Sequence, residues 1–234
     1  MAADLTTIGF DADDTLWQNE TFFRLTQERF TALLADYAAR DHLEERLLAA
    51  ERRNLGHYGF GIKGFVLSMI ETAIEVTEHK VPASVIAELL AASQEMLRHP
   101  IELLPHAREV VAELSAAHRL VLITKGDLLD QERKLAQSGL GEMFDAVEIV
   151  SDKTPATYHS AFGRHGDGPD RAMMVGNSMK SDVRPALEAG AWGVFVPHGL
   201  TWVLEHAEAP VAHARFHELP DLSALPALVA SVSG

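Results

Sequence analysis

Short apolar runs alternate with longer helical patterns along most of the chain. Apolar runs rich in β-branched residues, without polar alternation, are typical of strands buried on both faces of a parallel sheet. The runs lie at residues 6–10, 119–124, 146–151, 172–176 and 193–196, with a weaker one at 214–219. Helical periodicity between successive runs implies right-handed βαβ crossovers. The pattern therefore predicts an α/β fold with a doubly wound, Rossmann-like parallel sheet.

The interval between the first and second runs follows a different pattern. From about residue 20 to residue 104 the chain shows only helical periodicity, interrupted at residues 56–61, 81–82 and 99–100. This interval is much longer than a crossover between neighbouring strands needs. We therefore expect an all-helical domain at residues 19–104, inserted between strand one and strand two. Residues 1–18 and 105–234 would form the Rossmann-like core.

Composition and charge narrow the classes of function. The 234 residues carry 20 Lys and Arg against 34 Asp and Glu, a formal net charge of −14, which disfavours general binding to nucleic acid or to anionic membranes. The chain has no cysteine, so disulfides, thiolate nucleophiles and cysteine–zinc sites are excluded. The amino terminus lacks a basic and apolar signal pattern, and the longest mostly apolar window is too short and interrupted to cross a bilayer. We expect a cytoplasmic protein.

Polar side chains follow the predicted strands at the edge of the sheet where α/β proteins bind ligands. The first strand leads into DADDTL, which places Asp11, Asp13 and Asp14 within four positions. Like charges this close repel, and a partly buried carboxylate is unfavourable unless it is paired, protonated or bound to metal. The next three strand ends add hydroxyl, ammonium, amide and carboxylate groups: Thr124, Lys125, Lys153, Asn177 and Asp182.

These residue types together indicate a site for a metal and a phosphate. Carboxylate and carbonyl oxygens bind hard cations, and Mg²⁺ commonly combines one or two carboxylates with a substrate phosphate. Lysine, hydroxyl groups and free N–H groups at a helix start bind phosphate. A bound Mg²⁺ would offset the repulsion within the acidic loop and let an anionic nucleophile approach an anionic phosphoryl group.

Four segments in this order resemble the haloacid dehalogenase (HAD) superfamily across residues 6–196. They are DADDTL after an apolar strand, a threonine ending the second strand, a downstream lysine, and an acidic motif from Gly176 to Asp182. The helical insert is similar to that family's type-1 helical cap. The resemblance implies a Mg²⁺-dependent phosphatase that acts on a small phosphorylated metabolite through an aspartyl-phosphate intermediate.

The resemblance also implies a role for each matching residue. Asp11 would be the nucleophile, and Asp13 would protonate the leaving oxygen and then activate water. Thr124 and Lys153 would contact the transferring phosphoryl group, assisted by backbone N–H groups near Asp14 and Lys125. The ligands of Mg²⁺ would be the Asp11 carboxylate, the Asp13 backbone carbonyl, Asp182 and, with less support, Asn177.

Two departures from the family pattern bear on this assignment. Asn177 stands where the family commonly has Asp, which removes one negative charge from the metal site. Thr154 separates Lys153 from the proline that often follows that lysine directly. Lys134 is the weaker alternative for the motif lysine because it lies inside an amphipathic helix. The carboxylate of Asp13 favours a phosphatase, since a dehalogenase needs neither an acid at that position nor a metal.

Simpler interpretations of some residues stay open. Asp14 and Asp182 are also typical helix caps, and Asn177 after glycine is also a common turn former. For Thr124, the less favoured alternative is a plain hydroxyl at a strand end. Other functions on the same site are a phosphomutase, a phospho-accepting signalling module, or a binding protein without turnover. The sequence leaves the substrate and the oligomeric state open.

Overall fold

The computed structural model describes residues 4–233, in which six parallel strands form one sheet with flanking helices. The strands are β1 (Thr7–Phe10), β2 (Arg119–Lys125), β3 (Ala146–Val150), β4 (Ala172–Gly176), β5 (Trp192–Phe195) and β6 (Phe216–Glu218), in the order β3-β2-β1-β4-β5-β6. The predicted α/β fold with a doubly wound parallel sheet is confirmed. The weak sixth run corresponds to β6.

The helices fill the intervals between the strands. They are α1 (Glu20–Leu33), α2 (Arg40–Tyr58), α3 (Ile62–Val76), α4 (Ala83–Arg98), α5 (Ala107–Ser115), α6 (Leu128–Ser138), α7 (Pro155–His165), α8 (Arg184–Glu188) and α9 (Leu225–Val232). Within residues 4–233, no helix is both long and apolar enough to cross a membrane. The cytoplasmic location stays a prediction.

The central strands β1, β2 and β4 are buried on both faces, which explains their uninterrupted apolar runs. In β2, Leu120 and Leu122 join one apolar cluster with residues of α5 and α9, whereas Val121 and Ile123 join another with residues of α7. Because successive side chains of a strand point to opposite faces, a strand covered on both sides needs apolar residues at every position.

The chain divides into two compact units. One comprises the chain up to Glu20, Ile101–Lys125 and the chain from Gln131 onward; it contains the sheet. The other comprises Thr21–Pro100 and Gly126–Asp130. The helical unit has its own apolar core, contributed by α1 to α4 and by the residue directly after α1: Phe30, Leu34, Leu43, Leu47, Met69 and Leu89.

The short segment 126–130, which the sequence predicts as part of the core, groups with the helical unit, and the predicted domain boundaries stay a prediction. Within that unit Lys63 Nζ donates to Asp127 Oδ2 at 2.8 Å. The backbone at Asp127 also lies close to Gly61, where a Cβ would meet the Asp127 nitrogen at 3.4 Å. That the helical unit acts as a cap stays a prediction.

Candidate active site

The register of the three central strands brings the predicted motifs to one edge of the sheet. Phe10 of β1 pairs with Leu122 of β2 on one side and with Val175 of β4 on the other. The next residue, Asp11, donates its backbone N–H to the Val175 carbonyl at 2.9 Å. Asp11 therefore leaves the sheet between the ends of β2 and β4.

A tight turn follows β1 and shapes the acidic loop. The carbonyl of Ala12 accepts N–H groups from Thr15, Leu16 and Trp17 at 3.3, 2.8 and 3.4 Å. Asp14 adopts a left-handed backbone conformation with φ of 60°, which aspartate tolerates better than most residues. The turn is what separates the directions of three carboxylates so close in sequence.

The first group of contacts is termed here the Lys153 cluster and consists of Asp11, Thr15, Lys153 and Asp182. Lys153 Nζ donates to Asp11 Oδ1 and to Asp182 Oδ1, the latter at 2.7 Å. Thr15 Oγ1 donates to Asp11 Oδ2 at 3.1 Å. All four side chains are buried, so the ammonium group is held between two carboxylates out of contact with bulk water.

Burial and charge act in opposite directions in this cluster. Burial and the neighbouring Asp182 raise the pKa of Asp11 to about 7, although Lys153 lowers it. Burial by itself would lower the pKa of Lys153, but Asp11 and Asp182 raise it above its ordinary value. Lys153 thus stays an ammonium ion at neutral pH, and Asp11 gains a proton more easily than an exposed aspartate.

The loop after β4 holds Asp182 in place. Ser178 caps a π-helical turn at Met179–Val183 by accepting the Ser181 N–H at 2.9 Å, and its own N–H donates to Asp182 Oδ2 at 2.9 Å. A Cβ at Gly176 would lie 2.2 Å from Asp182 Oδ2. Glycine is therefore required at position 176, because the Asp182 carboxylate occupies the space of a side chain.

Asn177 contacts the acidic loop through both its backbone and its side chain. Its backbone N–H donates to Thr15 Oγ1 at 3.1 Å. When the side-chain amide is oriented with its nitrogen towards the loop, that nitrogen lies 3.2 Å from each of three acceptors: Asp11 Oδ2, the Asp13 carbonyl oxygen and Thr15 Oγ1. The structure thus brings Asn177 to the oxygens with which it was predicted to share a metal.

The second group of contacts is termed the Lys134 cluster and consists of Asp13, Trp17, Asn19, Gln131 and Lys134. Asp13 Oδ1 accepts from Trp17 Nε1 at 2.7 Å and from Lys134 Nζ at 2.9 Å. Asp13 Oδ2 accepts from Gln131 Nε2 at 2.8 Å and from Lys134 Nζ at 3.0 Å. Lys134 also donates to Asn19 Oδ1 at 2.8 Å.

The family model for haloacid dehalogenase-like hydrolases matches residues 5–190. The chain belongs to the haloacid dehalogenase-like hydrolases. The resemblance seen in the four sequence motifs is therefore confirmed. This HAD-like hydrolase is 25% identical to the glyceraldehyde 3-phosphate phosphatase of Methanothermobacter thermautotrophicus over 209 residues, which cover 84% of this chain and 88% of that protein.

Other relatives share parts of the chain or its fold. Phosphoserine phosphatase of Thermus thermophilus is 35% identical over 115 residues, covering 46% of this chain and 45% of that protein. A HAD-like hydrolase structure from Xanthomonas campestris has a TM-score of 0.87 at 42% identity, over 98% of this chain and 92% of that one. L-2-haloacid dehalogenase from Xanthobacter autotrophicus has a TM-score of 0.64 at 21% identity, over 97% and 98% of the two chains. The last likeness concerns the fold alone.

The structure of this HAD-like hydrolase does not bring the Asp14 carboxylate into either cluster. Asp14 accepts the N–H groups of Asn19 and Glu20 at 2.9 and 3.0 Å, so it caps the start of α1. Its own N–H donates to the Trp17 carbonyl at 2.7 Å. Burial raises the pKa of Asp14 to about 6, more than these hydrogen bonds and His198 lower it.

The two residues predicted at the end of β2 differ in their surroundings. Thr124 is buried, with Oγ1 3.4 Å from the Lys125 carbonyl. Lys125 Nζ donates to Ser181 Oγ and to Glu205 Oε1, both at 2.7 Å. Burial would raise the pKa of Glu205, but Lys125 and the hydroxyls of Ser178 and Ser181 together lower it.

Sequence reasoning missed Gln131 and Glu205, and it considered Lys134 only as the weaker alternative for the motif lysine. Glu205 follows β5 in a loop with no motif around it. Gln131 and Lys134 lie one turn apart on α6 and are both buried, whereas Leu128 and Leu129 at the start of that helix are exposed by 59% and 71%. Two polar residues at i and i+3 in a helix were the available signal, since that spacing places them on one face.

The donor atoms near Asp11 suit a hard cation. Within residues 4–233, no three His, Cys, Asp or Glu side chains converge in a metal-binding group. The available set is instead two carboxylates, from Asp11 and Asp182, with the Asp13 carbonyl and the Asn177 amide, which lie within hydrogen-bond distance of Asp11 or of each other. Oxygen donors of this mixed kind fit Mg²⁺, which needs few carboxylates.

Proposed function

We propose that this HAD-like hydrolase is a Mg²⁺-dependent phosphatase acting on phosphomonoesters of small metabolites. The observation that carries the proposal is the Lys153 cluster, in which Asp11 and Asp182 share one buried ammonium group. Phosphoryl transfer depends mainly on positioning and on neutralising charge, and this cluster supplies a carboxylate nucleophile beside a fixed cation. The phosphatase names of the two relatives described above support the same reaction class.

In the first proposed step, a carboxylate oxygen of Asp11 attacks phosphorus while the bond from phosphorus to the leaving oxygen breaks. Asp13 gives a proton to that leaving oxygen, so that an alcohol departs and an aspartyl phosphate remains. Lys153 offsets the charge of the phosphoryl oxygens, and the Thr124 hydroxyl donates to one of them. These roles follow the family resemblance and agree with the burial of both residues.

In the second step, water attacks the phosphorus of the aspartyl phosphate and gives a proton to the Asp13 carboxylate. The bond between phosphorus and the Asp11 oxygen breaks, which releases inorganic phosphate and restores Asp11. Asp13 carries the proton that the next cycle needs. The same residue thus serves as acid and then as base, which requires that its carboxyl group be held near both reacting oxygens.

Mg²⁺ would be held by Asp11, Asp182, the Asp13 carbonyl and the Asn177 amide. When bound, it supplies positive charge that lets an anionic nucleophile approach an anionic phosphoryl group. Turning the Asn177 amide over would present its oxygen in place of its nitrogen. A site with one amide in place of a carboxylate is expected to bind the ion more weakly.

Asp13 favours phosphatase over dehalogenase chemistry. Halide leaves without a proton, so a dehalogenase has no use for an acid at this position, whereas an alkoxide leaving group needs one. In this chain Asp13 contacts an indole, an amide and an ammonium group.

The test is hydrolysis of para-nitrophenyl phosphate by the wild type with Mg²⁺, with EDTA, and by the Asp11→Asn variant. Asp170→Asn, the same change at an exposed position, is the matched control. We expect metal-dependent turnover that falls at least about 10³-fold in Asp11→Asn and is unchanged in Asp170→Asn. A panel of small phosphate esters would then identify the substrate.

Other results would overturn parts of the proposal. Turnover that survives in Asp11→Asn would mean that another group is the nucleophile. A wild type that binds Mg²⁺ and hydrolyses no ester in the panel would favour a phosphomutase or a phosphate-binding module. Turnover unaffected by EDTA would show that the reaction needs no metal.

A further inference from the structure

The Asp13 carboxylate is saturated with donors. Each of its two oxygens accepts two hydrogen bonds, all between 2.7 and 3.0 Å, from Trp17, Gln131 and Lys134. Lengths in this range are those of strong hydrogen bonds, and those to an ionised partner are stronger than neutral ones. The direction of this carboxylate is therefore fixed from three sides.

The donors are themselves held. Lys134 has a side-chain exposure of 7%, and its ammonium group also donates to Asn19 Oδ1. Gln131 Nε2 donates to the Lys125 carbonyl at 3.1 Å as well as to Asp13. Both donors lie on α6, one helical turn apart, so the helix presents them to Asp13 as a rigid pair.

Stability alone does not account for this arrangement. Burying a lysine and a carboxylate as a pair stabilises a protein little, and apolar residues of similar size often do better. The helix nevertheless buries Gln131 and Lys134 while Leu128 and Leu129 are largely exposed. Breaking the usual preference for apolar residues inside is typical of a functional constraint.

We infer that Lys134 and Gln131 are positioning residues, which fix the direction of the Asp13 carboxyl group; in the proton-transfer steps a reacting oxygen takes the place of one of these donors on Asp13. This inference rests on the proposed phosphatase function, in which Asp13 is the acid and base. Neither residue lies in any of the four segments that resemble the family motifs. Since small misplacement of a reacting group lowers a rate by about 10²-fold, their removal should affect the steps that use Asp13 and leave substrate binding nearly intact.

The first experiment compares two leaving groups. The nitrophenolate of para-nitrophenyl phosphate departs without a proton, whereas the alkoxide of glycerol 2-phosphate needs one. For Lys134→Met and Gln131→Leu, we expect kcat/KM for the alkyl ester to fall about 30-fold and kcat/KM for the aryl ester to fall much less. Gln137→Leu, on an exposed position of the same helix, should leave both values unchanged.

A double variant tests whether Lys134 acts through Asp13. On the aryl ester, kcat/KM reports the attack by Asp11, which needs no acid, so it stays measurable in Asp13→Asn although the later attack by water is slowed. Adding Lys134→Met to Asp13→Asn should lower this kcat/KM no further, since residues acting as a unit are not additive. Multiplied losses would mean that Lys134 acts independently of Asp13, which would overturn the inference.

A spectroscopic measurement needs no turnover. The chain has three tryptophans, so the indole N–H region of a ¹⁵N–¹H spectrum should contain three resonances. The Trp17 indole donates to Asp13, so Lys134→Met and Gln131→Leu should each shift one of these resonances. The spectrum of the Gln137→Leu control should match that of the wild type. If Lys134→Met fails to fold, Gln131→Leu, an uncharged change of similar size, carries the test.

The outcomes separate this inference from the proposed function. A wild type inactive on both esters, or an Asp13→Asn variant as active as the wild type on the alkyl ester, contradicts the phosphatase proposal. An impaired Asp13→Asn variant together with fully active Lys134→Met and Gln131→Leu variants contradicts only the positioning role.

Discussion

The Lys153 cluster and the Lys134 cluster each join a buried lysine to the acidic loop, but they handle charge differently. Lys153 follows β3 and divides one ammonium group between two carboxylates, from the ends of β1 and β4. Lys134 lies on α6 and directs its ammonium group at both oxygens of one carboxylate, together with neutral donors. In the first cluster one ammonium group is shared by two carboxylates, whereas in the second an ammonium group and two neutral donors fix the direction of a single carboxylate.

A buried lysine therefore has two different purposes at the acidic loop, depending on how many carboxylates its ammonium group contacts. In the proposed reaction, the phosphoryl group would meet an ammonium group that two carboxylates already share, so Mg²⁺ would supply the remaining positive charge. A proton leaving Asp13 needs accurate direction more than added charge. We therefore expect variants of the first cluster to have larger effects than variants of the second.

The largest effect is expected for Lys153→Met. Removing the cation leaves Asp11 and Asp182 buried without their shared partner, which should lower the free energy of unfolding by about 3 kcal/mol. We expect kcat to fall by at least about 10³-fold, since the phosphoryl charge is no longer offset. Urea unfolding and steady-state kinetics measure the two effects.

Lys180→Met is the control for that variant, because Lys180 is exposed and its Nζ contacts the Leu204 carbonyl. It should retain activity. A Lys153→Met enzyme with wild-type kcat would show that neutralisation by this lysine is not needed, and the contrast between the clusters would disappear.

Gly176→Ala should have the next largest effect, because it disturbs one cluster and spares the other. A Cβ at this position would lie 2.2 Å from Asp182 Oδ2, so the carboxylate must move. We expect kcat to fall about 10²-fold, with the Trp17 indole resonance of the Lys134 cluster unchanged.

Gly163→Ala provides the matched control. A Cβ at Gly163, which lies in α7, would meet no heavy atom within 4 Å among residues 4–233. Alanine favours a helix over glycine by about 1 kcal/mol, so this variant should be as active as the wild type and slightly more stable. Equal losses in both alanine variants would contradict the steric argument.

The smallest effect concerns Asp14, the third carboxylate, which belongs to neither cluster. Burial raises its pKa from 3.8 to about 6, so the folded protein holds this proton more tightly than the unfolded chain does. This contribution to stability is fully present below about pH 4 and is lost as the pH rises through about 6. Asp14→Asn should remove it and still cap α1, since asparagine is a good cap and tolerates positive φ.

Unfolding by urea at pH 7.5 and pH 5 measures this difference. Relative to Asp14→Asn, the wild type should gain about 1.4 kcal/mol on going to the lower pH. Asp170→Asn, at an exposed position, should follow the pH dependence of the wild type. A wild type that loses stability relative to Asp14→Asn at pH 5 would mean that Asp14 is held as a carboxylate.

The sequence predicted the parts of the site that depend on strand ends. Asp11 and Asp182 follow runs that are buried on both faces, and Lys153 follows the edge strand β3. Since parallel strands must end at one edge of the sheet, the meeting of these residues could be expected from pattern alone. The six strands and their parallel direction could be expected for the same reason. The predicted roles of these residues stay predictions.

Other contacts had no local signal. Gln131 and Lys134 contact a residue 118 and 121 positions away, and helical periodicity gave no reason to connect them with Asp13. Asp14 was grouped with its acidic neighbours, but its left-handed backbone points it to the start of α1. Such contacts depend on the directions of individual side chains, which hydrophobic patterning does not report.

The central position of β1 has a consequence for how the backbone of Asp11 behaves over time. The strand is hydrogen-bonded to β2 and β4 on its two sides, and the Asp11 amide is bonded to the Val175 carbonyl. Amide hydrogens in such a place exchange with solvent only when the surrounding sheet opens, not through fraying at an edge. The exchange rate of the Asp11 amide in D₂O should therefore follow the global unfolding equilibrium of the sheet unit. The hydrogen bond from Asp11 to the Val175 carbonyl would then open only as often as the sheet itself unfolds.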